Sequence, residues 1–101
     1  MSYGYQGKIL EVDLTTQKIS QREVSEEDVR KYFMGSGLAA KILSEEADLN
    51  LDSLDPANPL IFMAGLLTGT MVPTACKLSV CSKSPLTGIW NEATVGGHWP
   101  A

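Results

Sequence analysis

The chain has 101 residues, enough for one modest domain, and its 44% hydrophobic and 20% charged residues are those of an ordinary folded protein rather than a disordered one. A net charge of −4, with the two arginines Arg22 and Arg30 in the acidic stretch around Glu23 to Arg30, leaves no basic face for a nucleic acid. No basic, apolar leader opens the chain, and its longest apolar run, Leu60 to Leu67, is far short of the roughly 20 residues that span a bilayer, so a cytoplasmic protein is expected.

From Gly7 to Leu14, Leu10, Val12 and Leu14 alternate with Glu11 and Asp13, the period-2 pattern of a half-buried strand. Thr15-Thr16-Gln17 supplies a turn, and Lys18 to Val24 returns as a second strand, giving an N-terminal hairpin. Ser25 is placed to cap a helix whose first turn carries Glu26, Glu27 and Asp28, where acids complement the helix dipole. Val29, Tyr32 and Phe33 then form its apolar face. Gly35-Ser36-Gly37 reads as a break, followed by a second helix with Leu38, Ala39, Ile42 and Leu43 on one side. Asp48 to Pro59, rich in Asp, Asn and Pro, reads as an irregular connection.

The run Pro59 to Ala64 is continuously apolar and predicts a strand buried on both faces. Further strands are expected at about Lys77 to Ser82 and Ile89 to Ala93, separated by a turn around Ser84 to Gly88. The closing residues, Gly96 to Ala101, form no finishing element, and the chain breaks off in mid-motif. The order of elements gives an α+β class with a hairpin, two short helices and further strands.

Three loops have the composition of ligand sites. Thr68-Gly69-Thr70 with Pro73-Thr74 follows the apolar strand; glycine lets backbone N–H groups approach an anion, and Lys77 adds a positive charge. Thr94-Val95-Gly96-Gly97 repeats the pattern after the last strand. Gly35-Ser36-Gly37 opens a helix, but it follows a helix and lacks a third glycine, so it is not a dinucleotide fingerprint. By composition each is more often a plain turn or helix break than a site. Cys76 and Cys81 match no metal-ligand spacing and read as free thiols; His98 stands alone, and Trp90 and Trp99 read as core or interface residues. These residues form no complete catalytic constellation and no metal site.

Taken in order, Gly7 to Thr16, Gly37-Leu38-Ala39-Ala40, Asp55 to Ile61, Gly65 to Thr70, Pro73-Thr74, Ser82 to Gly88 and Gly96-Gly97 resemble the N-terminal domain of the aldehyde:ferredoxin oxidoreductase family, including its benzoyl-coenzyme-A-reductase-like branch. The resemblance implies a β-rich half-domain, residues 1–101 forming a single partial domain that cradles a tungsten or molybdenum bis-pterin. It further implies a [4Fe–4S] cluster whose ligands lie outside this chain, and aldehyde oxidation to carboxylic acids with ferredoxin as acceptor. The implied partners are the enzyme's remaining domains, or a second copy of the chain, and ferredoxin through the full enzyme. The implied cofactor contacts are Lys77, where the family often has arginine, Thr94, often asparagine there, and Val95 and Gly96 beside it. Ser36 also stands where many relatives have arginine. The isolated chain is expected to be inactive. A non-catalytic binding or assembly module of the same fold is the alternative.

Overall fold

A computed structural model describes residues 6–47 and 50–100. Residues 1–5, on which the expectation about a leader falls, residues 48 and 49 of the expected connection, and residue 101 lie outside the described residues. The elements run β1 (Lys8–Asp13), β2 (Lys18–Glu23), α1 (Glu26–Tyr32), α2 (Gly35–Glu46), β3 (Ile61–Ala64), β4 (Lys77–Lys83) and β5 (Trp90–Gly96). Strands β1 and β2 pair antiparallel as a separate hairpin; β3, β4 and β5 form a three-stranded antiparallel sheet in that order. The α+β class and the expected sequence of elements hold. Among the described residues no helix is long and apolar enough to cross a membrane.

The hairpin pairs Lys8 with Glu23 through Asp13 with Lys18, and its turn is held by Asp13 Oδ1, which accepts from Thr15 N (3.0 Å) and Thr16 N (3.3 Å). Its apolar face is not where the alternation predicts. Leu10, Val12 and Ile19 share a face that is more than half exposed, while Ile9 and Arg22 lie on the other. Ile9 and Val24 pack against the core, and Arg22 bridges Glu11 (2.8 Å) to Glu46 of α2 (2.6 Å). The side facing the body is thus fixed by one isoleucine and an ion-pair network.

Ser25 caps α1 as expected, its Oγ accepting from Asp28 N at 3.1 Å. The helix ends at Phe33, which is left-handed (φ 59°), donates its N–H to Val29 O and is 66% exposed rather than part of the apolar face. The αL cap turns its side chain away from the stripe that Val29 and Tyr32 share. Met34 also has a positive φ (60°) but an extended ψ (−162°), so the break falls at Phe33-Met34 and α2 starts at Gly35, inside the glycine stretch read as the break. Gly37 permits this tight corner: a Cβ there would lie 2.4 Å from Tyr32 O. Lys41 then ties the helices together, bonding Asp28 (3.1 Å) and Glu45 (3.2 Å), with its ammonium 5.7 Å from the centre of the Tyr32 ring.

Leu38 and Ala39 of α2 meet Met63 of β3 and Cys81 of β4 to form the core, with Ile42, Ile61 and Trp90 packed around it. The sheet therefore has one covered face. Strand β3 was expected to be buried on both, but Met63 alone is buried and Phe62 is 63% exposed, because among the described residues no element lies on the side away from α2. The connection before β3 is stapled to β4: Asn58 Nδ2 donates to Ser53 O and Lys83 O, Ser82 Oγ to Pro59 O, and Lys83 Nζ to Leu51 O. Strand β5 is longer than expected, taking Thr94, Val95 and Gly96 into the ladder rather than leaving them in a loop. Trp90 packs on the core, whereas Trp99 is 93% exposed.

Candidate functional site

In an antiparallel meander, the end of β3, the start of β4 and the end of β5 coincide. Ala64, Lys77 and Gly96 therefore lie at one end of the sheet, and so do the loops that follow β3 and β5. The start of α2 reaches the same end, because Met34 bridges to Gly65 and Gly35 lies against the Gly65 backbone. All three loops singled out by composition converge here. The register also sorts the individual residues. Lys77 pairs with Gly96 and Ser79 with Thr94, so Lys77 and Thr94 share the face that packs on α2, while Val95 pairs with Leu78 on the opposite face. The side chain of Val95 thus faces away from this site, and its N–H and C=O turn towards β4.

Lys77 is exposed, and among the described residues its ammonium has no hydrogen-bond or ion-pair partner. It lies along Gly96, where a Cβ would meet Nζ at 3.0 Å, so the glycine makes room for the cation. The N-terminus of α2 next to it has no acidic residue in its first turn and no side-chain cap, and its dipole adds positive potential. An open cleft of about 450 Å³ adjoins Lys77, walled by Phe33, Leu66, Leu67, Val72 and Cys76. Apolar walls with one cation unpaired among the described residues suit a ligand that carries an anionic group beside a surface able to rest on apolar side chains.

The loop itself is internally bonded. Gly65 N and Thr68 Oγ1 both donate to Lys77 O, at 3.1 and 3.0 Å, and Thr70 Oγ1 donates to Leu67 O at 2.6 Å. Gly69 (φ 79°) and Thr74 (φ 63°) take the left-handed turns that close it. The threonine hydroxyls read as ligand donors thus give their protons to the loop and retain only acceptor capacity for anything else.

Phe33 and Cys76 line the cleft without having been singled out. Phe33 reads as helix core until the left-handed cap at its own position is seen, and Cys76 carries no sequence signal beyond its type. Cys81 is buried in the core, and burial with nearby Glu92 pushes its thiol pKa up, so it is a packing residue rather than a nucleophile. His98 is exposed in the turn after β5. Among the described residues, no three His, Cys, Asp or Glu side chains gather to hold a metal ion. A second cleft of about 370 Å³ lies between α2 and the β4–β5 turn, lined by Leu43, Ser44, Lys83, Ile89 and Trp90.

Residues 9–101 match the family model described as the aldehyde ferredoxin oxidoreductase N-terminal domain. The chain is 42% identical over 99 residues to the tungsten-containing aldehyde ferredoxin oxidoreductase of Pyrococcus furiosus, covering 98% of this chain and 16% of that protein. It is 40% identical over 86 residues to the aliphatic sulfonate oxidoreductase, WOR-like subunit, of the same organism, covering 82% of this chain and 14% of the other. Among solved structures, the active site complex BamBC of benzoyl coenzyme A reductase with 1,5-dienoyl-CoA superposes with a TM-score of 0.95 at 36% identity, over 99% of this chain and 15% of that one. The chain thus spans about one-sixth of the length of these relatives.

Proposed function

Because this chain belongs to the aldehyde ferredoxin oxidoreductase family and matches its N-terminal domain, we propose that it forms part of the surface on which a tungsten or molybdenum bis-pterin rests in a cytoplasmic, oxygen-sensitive oxidoreductase. That enzyme oxidises aldehydes to carboxylic acids and passes the electrons to ferredoxin through a [4Fe–4S] cluster held elsewhere in it. Residues 1–101 make up a single partial domain, inactive alone, and its partners are the enzyme's remaining domains or a second copy.

The carrying observation is the unpaired Lys77 ammonium at the sheet end where the loop after β3, the end of β5 and the start of α2 meet. The residues present fit an anionic pterin there. Lys77 holds an anionic oxygen, the Thr94 hydroxyl lies on the same face, Gly96 offers an outward backbone edge that a ring system can approach closely, and Val95 between them holds both in register with β4. The metal and its dithiolenes, when bound, supply the two-electron chemistry. This chain's residues bind, orient and desolvate one side of the cofactor; the apolar wall of Phe33, Leu66 and Val72 excludes water there.

The test is cofactor content. In the full enzyme, Lys77→Ala should lower tungsten and pterin retained through purification by about tenfold, in line with the loss of one charge-assisted contact. Retention at the unsubstituted level would remove Lys77 from the site.

One observation favours the alternative of a non-catalytic binding or assembly module. The loop threonines bond internally, and Lys77, Thr94 and Ser36 replace residues with more donors in the family. Full-length protein carrying no tungsten or molybdenum while remaining folded and assembled would favour that reading.

A further inference from the structure

We infer that Phe33 is a ligand-contacting residue of the cleft at Lys77, placed there by a strained corner between α1 and α2. The inference rests on the cofactor reading and deepens it: Phe33 bears on the apolar part of the molecule whose anionic group Lys77 holds.

The corner consists of three successive residues of positive φ, Phe33 (59°), Met34 (60°) and Gly35 (58°), of which only the glycine takes such an angle without strain. Phe33 has ψ 24°, completing the left-handed conformation in which helices usually end on glycine or asparagine. Met34 has ψ −162°, a combination almost confined to glycine. Strained residues of this kind persist only where their surroundings fix them, and they gather at binding sites. Here the surroundings do fix them. Phe33 N donates to Val29 O at 2.9 Å, Met34 bridges to Gly65, and the Met34 side chain packs against the core. Gly37 lies too close to Tyr32 O to leave room for a Cβ, and Lys41 reaches across the corner to Asp28.

What the corner achieves is the placement of Phe33. One helical turn after Val29, its side chain would otherwise continue the apolar face of α1. Its neighbours Tyr32 and Met34 both pack against the core, whereas Phe33 is turned out between them, 66% exposed, into the cleft wall beside Leu66, Val72 and Lys77. A large apolar side chain on a strained backbone, kept from the core and open to water, is unfavourable on both counts within the described residues. The compensation comes from a molecule that covers the ring. The cleft states the chemistry of that molecule: an apolar or flat ring surface against Phe33, Leu66 and Val72, and an anionic group within reach of the Lys77 ammonium. The flat ring system of a pterin offers such a surface.

The test uses the full enzyme, with cofactor content and amide exchange as readouts. Phe33→Gly removes the ring and suits the left-handed backbone. It should lower the tungsten and pterin retained through purification by about tenfold, as expected when one apolar side chain is lost from a contact. In enzyme produced without tungsten or molybdenum, the amides of residues 26–46 should exchange no faster in this variant than in the parent, since the corner loses strain rather than support. Phe33→Leu keeps an apolar side chain and should retain cofactor within about threefold of the parent. Cofactor held by Phe33→Gly at the parent's level overturns the inference. Faster exchange in the cofactor-free Phe33→Gly enzyme also overturns it, because Phe33 would then support the fold or a contact with another domain. Lys77→Ala, measured in parallel, separates the two readings. Cofactor lost with Lys77→Ala but kept with Phe33→Gly rejects the role of Phe33 alone, and cofactor kept in both rejects the cradle itself.

Discussion

Replacing Gly37 with alanine tests the helix corner on which the sheet end depends. The added Cβ would lie 2.4 Å from the carbonyl oxygen of Tyr32, 3.4 Å from its carbonyl carbon and 3.7 Å from its Cα, all backbone atoms that cannot swing aside. Close C···O contacts stop at about 3.3 Å, so α2 and the last turn of α1 must separate by about 1 Å. The next residues, Leu38 and Ala39, are 2% and 0% exposed in the core against Met63 and Cys81, so that movement disturbs close-packed atoms. Forced displacement of this kind costs about 1–3 kcal/mol. Alanine's better helix propensity returns at most about 1 kcal/mol, and less in a first turn. The net expectation is a loss of about 1–2 kcal/mol, or a Tm lower by roughly 5–15 °C for a chain of this size. Thermal unfolding followed by circular dichroism measures it. A Gly37→Ala chain as stable as the parent, or more so, would refute the claim that glycine is required by the approach of Tyr32 O.

Three other outcomes follow from the contacts described. Lys77→Ala should leave the unfolding free energy of the chain within about 0.5 kcal/mol of the parent, because the side chain is exposed and, among the described residues, unpaired; a larger loss would mean that it supports the fold. Arg22→Ala should loosen the hairpin by about 1 kcal/mol or less, read as faster amide exchange over residues 8–23. The Glu46 carboxyl lies below its ordinary value of 4.5, chiefly through its hydrogen bond from Arg22, so the Arg22 contribution is present above that value and lost as pH falls through the lowered pKa. Parent and Arg22→Ala should converge in acid, and a difference that persists at pH 2 would assign the effect to packing instead. A thiol reagent should label half-buried Cys76 in the folded chain and buried Cys81 only on unfolding; equal rates would contradict the core assignment.

The sequence was most informative where a local rule settles the structure alone. The hairpin follows from period-2 alternation and the turn at Thr15-Thr16-Gln17, and α1 from the Ser25 cap with its acidic first turn. It misled where the outcome depends on what lies opposite. Alternation in β1 shows that Leu10 and Val12 share a face but not whether that face meets α2, and Arg22 with its two carboxylates holds the other side inward. The apolar run at β3 suggested two covered faces, whereas the described elements supply a cover for one. Two consecutive residues of positive φ, Phe33 and Met34, have no signature in residue type, so the helix break was assigned to the adjacent glycines. At the candidate site, Lys77, Thr94 and Gly96 stood out through resemblance, and only the strand register brings Lys77 opposite Gly96. The internal bonding of the loop threonines had no signal in the sequence.

Lys77 has two separate connections to its surroundings. Its carbonyl oxygen takes the bonds from Gly65 and Thr68 that close the loop, and its side chain leaves along Gly96 with no bond among the described residues. The loop therefore depends on the main chain at position 77 and is indifferent to what the side chain carries. Exchange of this lysine for arginine changes the reach and geometry of the charge without altering the loop behind it. Under the proposed cofactor reading, position 77 is thus a tuning point, where affinity can be changed with the architecture held constant.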